Sequence, residues 1–110
     1  HITGGGIGDN FARVLKVSRL GALLDNLFEP LPVMRKVQKL GQAPEEQAYR
    51  FWNMGNGMLL VAAPEDAEKI MQICAADNYQ AQVCGIIRKR ANIEIHTKGM
   101  FPRKIKFPIY

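Results

Sequence analysis

The feature that most constrains the fold is an unbroken apolar run, Met58 to Ala63, which ends at Pro64-Glu65-Asp66. Six consecutive apolar residues are typical of a strand covered on both faces, because a half-exposed strand alternates apolar and polar side chains. A proline followed by two acids suits the first turn of a helix. The run therefore predicts a buried strand that leads into a helix, whose buried stripe is Ala67, Ile70, Met71 and Cys74.

Helical spacing and end signals predict three earlier helices. They are a helix over residues 7–15 with Ile7, Phe11, Val14 and Leu15 on its apolar face, a helix with Pro32 in its first turn that carries Val33, Val37 and Leu40 and has Gly41 at its C′ position, and a helix from Glu45 to Trp52. Helices of this length need a partner surface to bury their apolar stripes. A sheet between or beside them is therefore expected.

Strand patterns appear at Gly21 to Leu24, Gln82 to Ile87 and Asn92 to His96. The last two are predicted to pair through the basic turn Arg88-Lys89-Arg90. Strands interleaved with helices indicate an α/β (α+β) sandwich, with a mixed, mostly antiparallel sheet of about four strands packed with helices. Lys98 to Tyr110 is broken by prolines, and we expect an extended basic arm, with an edge strand through Ile105 and Phe107 as the alternative.

The positive charge is concentrated near the C-terminus. The chain has a net charge of +5, but residues 86–110 alone carry seven basic residues against Glu94, a net of +6. Such a cluster attracts phosphates or nucleic acid through its summed potential. A solvated turn between strands is the simpler interpretation of residues 88–90, so we expect no nucleic-acid partner.

Composition narrows the class of protein. A chain of 110 residues that is 47% apolar supports one domain, and no apolar run approaches the roughly 20 residues of a membrane-spanning helix. We expect a cytoplasmic protein with no membrane partner. The only cysteines, Cys74 and Cys84, lack CxxC spacing, so we expect two buried, reduced thiols and no metal site.

The first candidate site is the glycine run Gly4, Gly5 and Gly6, which stands directly before a predicted helix. Residues without a Cβ let backbone N–H groups approach an anion, and the helix dipole favours negative charge at the same place. The run matches neither the Walker pattern nor GxGxxG, and tight packing is an adequate reason for glycine.

Three polar residues near this run are weaker candidates. Asn10 and Arg13 are spaced to reach a ligand at the helix start, but Arg13 could instead pair with Asp9 while Asn10 faces water. His1 is a candidate catalytic acid or base, or an ordinary strand residue.

The second candidate site is the loop from Asn53 to Gly57. Asn53, Gly55 and Gly57 are residue types that tolerate positive φ, and Asn53 could cap the preceding helix or contact a substrate. Both alternatives stay open from the residues alone.

The chain resembles the C-terminal domain of the aminoimidazole ribonucleotide synthetase family, also called phosphoribosylformylglycinamidine cyclo-ligase, from His1 to about residue 96. The residues that carry the resemblance are His1-Ile2-Thr3-Gly4-Gly5-Gly6, Asn10, Arg13, Val14-Leu15, Leu20-Gly21-Ala22, Asp25, Pro32, Val33, Gln38, Gly41, Tyr49-Arg50, Asn53-Met54-Gly55 and Gly57-Met58. The resemblance implies a domain over residues 1–97 and a separate N-terminal ATP-binding and dimerisation domain outside this chain, which would be the downstream part of a longer protein. Residues 98–110, the basic C-terminal arm, do not follow the family's usual pattern.

The resemblance implies an ATP-dependent ligase of purine biosynthesis. Formylglycinamidine ribonucleotide is converted to aminoimidazole ribonucleotide with release of ADP and phosphate, and the enzyme is a homodimer. ATP and Mg²⁺ would be bound mainly by the N-terminal domain, so we expect neither in this chain alone, and we expect the isolated chain to be inactive. The glycine run with Asn10 would form part of the cleft wall, and the second loop would face it.

Four residues depart from the family's usual pattern, namely Asp9, Ala12, Phe51 and Asn56. They keep two alternatives open. One is a divergent superfamily member acting on another substrate. The other is a stand-alone, non-catalytic domain that binds a phosphorylated metabolite. An interaction domain that uses the basic arm is a third class.

Overall fold

The computed structural model describes residues 1–109. In chain order, the regular elements are α1 Gly6–Lys16, β1 Gly21–Leu24, α2 Pro32–Gly41, α3 Glu45–Phe51, a 3-10 turn Pro64–Asp66, α4 Ala67–Ala76, β2 Gly85–Arg88, β3 Asn92–His96 and β4 Lys104–Pro108. The predicted α+β class, with a mixed and mostly antiparallel four-stranded sheet, is confirmed. The expected helix and strand bounds before residue 52 agree with the structure to within a residue.

The sheet order is β2-β1-β3-β4. β1 is antiparallel to β2 and parallel to β3, and β3 is antiparallel to β4. The predicted pairing of β2 with β3 through the basic turn is therefore wrong, because β1 lies between them. Gly21 makes this possible: a Cβ there would lie 1.7 Å from the Arg90 carbonyl oxygen and 2.3 Å from that of Asn92, so the connection passes the end of β1 at close range.

The inner face of the sheet carries the core. In register across the four strands, Ile87, Ala22, Ile93 and Phe107 form one row, and Gly85, Leu24, Ile95 and Ile105 form the next. From α1, Ile7, Phe11 and Leu15 are buried against this core, whereas the predicted fourth member of the stripe, Val14, is 62% exposed. Helices α1 and α3 thus cover the inner face and set the position of the glycine run.

The opposite face, here called the outer face, is not covered by a helix within residues 1–109. Its central row is Ile86, Leu23, Glu94 and Lys106, flanked by Arg88, His96 and Lys104. Ile86 is 61% exposed, and Lys104 and Lys106 are exposed. One end of the outer face is therefore apolar and the other end is mainly basic.

Helix α2 buries a different side from the one predicted. Val33, Val37 and Leu40 are all exposed, and the buried residue of α2 is Gln38. The helix is amphipathic, but its apolar stripe borders a groove while its amide side chain points into the interior. Gly41 is its last residue rather than C′, and Gln42 takes the left-handed conformation with φ of +50°.

The apolar run that predicted a buried strand is exposed. Met58, Leu60 and Val61 are each more than half exposed, and residues 58–63 pair with no strand within the described chain. Helix α4 follows as predicted but has no buried residue. The prediction fails because both central positions in the sheet are taken by other strands, β1 and β3. We call residues 58–81 the peripheral segment.

The C-terminal residues belong to the domain rather than to a free arm. Lys104–Pro108 is an edge strand, with Ile105 and Phe107 buried in the core, so the edge-strand alternative is confirmed over these residues. Thr97 closes the turn before it, since its hydroxyl donates to the Arg103 carbonyl oxygen at 2.9 Å. Tyr110 lies outside the described residues.

Candidate functional site

The glycine run forms a tight turn that leads into α1. The Gly6 N–H donates to the Thr3 carbonyl oxygen at 2.8 Å, and Gly6 has φ of +58°. A Cβ on Gly6 would lie 2.2 Å from the Tyr49 carbonyl oxygen, so this glycine lets α1 begin against the end of α3. Packing and backbone conformation explain Gly6 without a ligand.

Gly4 and Gly5 differ from Gly6 because their N–H groups are free. Within residues 1–109, neither amide donates a hydrogen bond, and a Cβ added at Gly4 would meet nothing within 4 Å. Gly4 is exposed and Gly5 is half-buried. The fold does not require glycine at position 4, and the two amides leave a backbone surface that can receive an anion.

Asn10 stabilises this turn from inside α1. Its Nδ2 donates to the Gly6 carbonyl oxygen at 2.8 Å, and its Oδ1 accepts from the Thr3 hydroxyl at 3.4 Å. The alternative in which Asn10 simply faces water is therefore wrong. That Asn10 lies beside a bound ligand stays a prediction. In the fold, its two hydrogen bonds fix the shape of the turn.

Arg13 and His1 are both exposed. The expected pairing of Arg13 with Asp9 is wrong: neither residue belongs to an ion pair within the described chain. The His1 imidazole makes no hydrogen bond to any of residues 1–109. The structure thus leaves both side chains free, and it gives neither a defined role.

The second loop is a compact turn. Asn53 Oδ1 accepts from the Gly55 N–H at 2.9 Å, so Asn53 closes the loop rather than capping α3. Of the three residues expected to tolerate positive φ, only Gly55 has it, at +89°, and the second such position is Met54 at +48°. Met54 is fully buried, and its side-chain packing holds this conformation.

Asn56, which departs from the family pattern, is a structural residue. It is 3% exposed, its Nδ2 donates to the Met54 carbonyl oxygen at 3.0 Å, and its Oδ1 accepts from the Phe28 N–H at 2.9 Å. Gly57 is the opposite case, because a Cβ there would meet nothing within 4 Å. As at Gly4, packing does not account for the glycine.

The structure brings the two candidate motifs together. The Ile2 N–H donates to the Gly57 carbonyl oxygen at 2.9 Å. Thr3 and Asn53 are the polar residues along one groove of about 390 Å³, whose remaining lining is Ile2, Val33, Met34, Val37, Phe51 and Trp52. The exposed stripe of α2 forms one wall of this groove. The expectation that the second loop lies beside the glycine run agrees with this geometry.

A buried polar network, which sequence reasoning missed, holds the site's scaffold. Glu45 is 1% exposed and accepts from Gln38 Nε2 at 2.7 Å, from the Phe101 N–H at 2.8 Å and from the Gly99 N–H at 3.1 Å. Gln38 Oε1 accepts from the Met100 N–H at 2.8 Å. The network ties the loop before β4 to α2 and α3.

Tyr49 of α3 also holds the loop before β4 to the helices. Its hydroxyl oxygen accepts from the Lys98 N–H at 2.9 Å, and burial raises the pKa of Tyr49 to about 12. The phenol therefore stays neutral at physiological pH. It acts as a fixed hydrogen-bonding group rather than as a catalytic base.

The outer face of the sheet carries a charged cluster. Arg88 donates to Glu94 Oε2 at 3.0 Å and to Asn92 Oδ1 at 3.1 Å, and His96 Nε2 lies 3.2 Å from Glu94 Oε1. The hydrogen bond from Arg88 and then that from His96 hold the pKa of Glu94 below its usual range. Residue 88 thus belongs to β2 and the cluster rather than to a solvated turn.

Glu94→Gln is expected to make the protein less stable at pH 7 but equally stable at a pH below the lowered pKa of Glu94. The ionised carboxylate stabilises the fold fully above the pKa of an unfolded glutamate, about 4.3. This contribution is lost as the pH falls through the lower folded-state pKa. Urea unfolding of both proteins across this range measures it, and a difference that stays constant with pH would contradict the assignment.

The two cysteines are free and half-buried rather than fully buried. Burial raises the pKa of the Cys84 thiol, which disfavours the reactive thiolate. Within residues 1–109 no group of three or more His, Cys, Asp and Glu side chains is placed to hold a metal ion. In the same part of the chain, no helix is both long enough and apolar enough to cross a membrane.

The fold and the paired motifs define a domain of one family. Residues 1–98 match the family model described as AIR synthase related protein, C-terminal domain. The chain belongs to this family. The match ends just before β4, close to where the resemblance of the sequence ends.

The chain is similar to several curated proteins, and the three relatives below are named phosphoribosylformylglycinamidine cyclo-ligase. The relative from Methanocaldococcus jannaschii is 38% identical over 86 residues, which cover 77% of this chain and 23% of the relative. The relative from Methanopyrus kandleri is 35% identical over 99 residues, which cover 90% of this chain and 28% of the relative. The relative from Enterococcus faecalis is 37% identical over 73 residues, which cover 66% of this chain and 21% of the relative. The chain thus spans about a quarter of the length of these relatives.

Proposed function

We propose that the chain acts as the C-terminal part of a phosphoribosylformylglycinamidine cyclo-ligase in purine biosynthesis. The observation that carries the proposal is the meeting of the two family motifs along one groove, through the hydrogen bond from the Ile2 N–H to the Gly57 carbonyl oxygen. The relatives' names support the same activity. The substrate would be formylglycinamidine ribonucleotide, activated by ATP and closed to aminoimidazole ribonucleotide with release of ADP and phosphate.

The contribution of this chain would be to bind and orient. ATP supplies the phosphoryl group that activates the amide oxygen of the substrate. The free N–H groups of Gly4 and Gly5 would face a phosphate, where fixed donors stabilise negative charge without reorganising. Asn10 would keep the turn in shape. His1 and Arg13 are both exposed, His1 just before the glycine run and Arg13 in the last turn of α1, and they would add polar contacts to a ligand that extends along the helix.

The rest of the cleft would come from the part of the relatives that this chain does not span. The groove beside the two motifs is mainly apolar, which suits packing against another domain better than binding a charged nucleotide. We propose that an N-terminal domain covers the groove and places its own ATP contacts beside Gly4. Mg²⁺ would be bound mainly by that domain, together with ATP. The whole enzyme would work as a homodimer in the cytoplasm.

The test uses a chimera in which this chain replaces the matching C-terminal part of the Methanocaldococcus jannaschii relative. We expect the isolated chain to show no cyclo-ligase turnover and the chimera to show it. Gly4→Ala in the chimera is expected to lower kcat/KM by about tenfold or more, because a methyl group would displace the reacting phosphate. The rate of ADP formation measures each protein.

The matched control is Gly41→Ala, where an added Cβ also meets nothing within 4 Å but which lies at the end of α2. It should leave kcat/KM unchanged. Turnover by the isolated chain would contradict the expected division of the cleft. Equal activity of the Gly4→Ala and Gly41→Ala chimeras would contradict the assignment of the glycine run.

A further inference from the structure

The apolar run 58–63, at the start of the peripheral segment, has an unused backbone. Within residues 1–109, none of the N–H and C=O groups of residues 58–62 takes part in a backbone hydrogen bond, and the run contains no turn or bend. Leu60 and Val61 are 63% and 54% exposed, whereas Leu59 is half-buried and packs against the core. An unbent run with one side on the core and free backbone groups can accept a neighbouring strand.

The first residues of the chain already contact this run at one end. The Ile2 N–H donates to the carbonyl oxygen of Gly57, the residue directly before the run. Ile2 is buried between two exposed neighbours, His1 and Thr3, which is the alternation of a strand with one face on the core. After Thr3 the chain turns into α1, since the Gly6 N–H donates to the Thr3 carbonyl oxygen. This pairing can therefore extend only along the chain before His1.

The hydrogen bonds favour an antiparallel direction for such a pair. In a parallel pair, the Leu59 N–H would donate to the Ile2 carbonyl oxygen, and within the described chain it does not. A parallel strand would also continue beside residues 53–56, which are closed into a turn by Asn53. An antiparallel strand would instead run beside residues 58–63.

We propose that the segment directly before His1 in the longer protein forms a strand antiparallel to the run 58–63. The inference rests on the proposed function, in which this chain is the C-terminal part of an enzyme: the chain spans about a quarter of the length of its relatives and matches a C-terminal domain. The pair begins at Ile2 and Gly57. Because the same strand leads into Gly4, it fixes the glycine run relative to the preceding domain.

This register gives the added strand a defined chemistry. The residue directly before His1, and every second residue before that one, lie on the same face as Ile2 and beside Leu59 and Val61. Since Ile2 and Leu59 pack against the core, we expect apolar side chains at these alternate positions. The N–H groups of Leu59 and Val61 point toward the added strand, whereas that of Leu60 points away.

Hydrogen exchange measured by NMR on two proteins tests the pairing. One protein is the 110-residue chain. The other carries, in front of His1, the about ten residues that precede the matched part of the Methanocaldococcus jannaschii relative, enough for a strand. The extension should slow exchange of the Leu59 and Val61 amides by about tenfold or more and leave Leu60 and Ala62 unchanged. Unchanged exchange at Leu59 and Val61, or slowing at Leu60 and Ala62 instead, would overturn the proposal.

Two further outcomes separate this proposal from its alternatives. If Leu59 and Val61 were protected in the 110-residue chain, and more so at higher protein concentration, a second copy would be the partner of the run and the proposal would be wrong. Slow exchange in the extended protein together with an inactive chimera would keep the added strand and reject the cyclo-ligase activity. An active chimera with unprotected Leu59 and Val61 amides would do the reverse.

Val61→Pro and Leu60→Pro are a matched pair of variants in the extended protein. Each proline removes one N–H from an exposed position of the run, but only that of Val61 points toward the added strand. Neither N–H is bonded within residues 1–109, so both variants should fold. Val61→Pro should lose the protection of the Leu59 amide that Leu60→Pro keeps. Equal protection of Leu59 in the two variants would contradict the antiparallel register.

Discussion

Gly6→Ala should lower the free energy of unfolding by about 3 kcal/mol or more. The new Cβ would lie 2.2 Å from the Tyr49 carbonyl oxygen and 2.6 Å from that of Arg50, and both atoms belong to the backbone of α3. The φ of +58° adds strain of about 1 kcal/mol for any residue with a Cβ. No side chain can move aside to relieve the contact, so α1 must separate from α3. Urea unfolding followed by fluorescence of the single tryptophan, Trp52, measures the loss.

Gly4→Ala is the matched control for this prediction. It changes the same residue type in the same turn, but the Cβ meets nothing within 4 Å. The free energy of unfolding should change by less than about 0.5 kcal/mol. The two variants therefore separate the parts of the glycine run: Gly6 serves the fold, and Gly4 serves the proposed ligand. Equal stability of the two variants would show that α1 and α3 do not meet as described.

The elements that the sequence predicts well are those set by local signals. Helix α3 begins after Pro44 with two acids, and strand β3 alternates Ile93 and Ile95 with polar residues. These patterns act within a few residues, so they survive in the folded chain. The resemblance to the family rests on the same local motifs, and the family match confirms it.

The predictions that fail depend on the choice of partner. The apolar run 58–63 has the composition of a buried segment, but the sequence does not say which surface would cover it, and β1 and β3 take the two central positions in the sheet. The link from Arg88 to Asn92 looks like a hairpin turn, yet it spans β1 because Gly21 lets it pass. Pairing across a sheet is a tertiary property, and the spacing along the chain does not encode it.

In the candidate site too, local sequence predicts some features and only the fold shows the others. The sequence places Asn53 and the glycine run on two loops, but only the fold shows that Thr3 and Asn53 line one groove. The roles of Asn10 and Asn56 follow from their hydrogen bonds to nearby backbone groups, which no spacing rule predicts. Among the buried polar residues, Gln38 is one of the positions that carry the family resemblance, whereas Asn56 departs from the family pattern and no sequence signal marks Glu45 for burial.

Glu45→Gln is expected to cost about 2–3 kcal/mol of unfolding free energy, although it preserves the shape of the side chain. The carboxylate accepts from the backbone N–H groups of Gly99 and Phe101 and from Gln38. A glutamine presents an NH₂ group at one of these oxygens, so a donor faces a donor and a buried N–H loses its partner. The loop before β4 would then separate from α2, and β4 would fray with it.

Glu46→Gln provides the control from the next residue of α3. Glu46 pairs with Arg103 at 3.1 Å on the surface, where both side chains are about half exposed, and an exposed pair of this kind contributes about 0.2–1 kcal/mol. Urea midpoints should therefore fall markedly for Glu45→Gln and little for Glu46→Gln. Hydrogen exchange should show the loss at the Gly99 and Phe101 amides, because one of them faces the new NH₂ group and both are exposed when the loop separates from α2. If those amides stayed as protected as in the parent protein, Glu45 would not be what holds the C-terminal edge strand to the helices, and the burial of Ile105 and Phe107 alone would have to account for its place in the sheet.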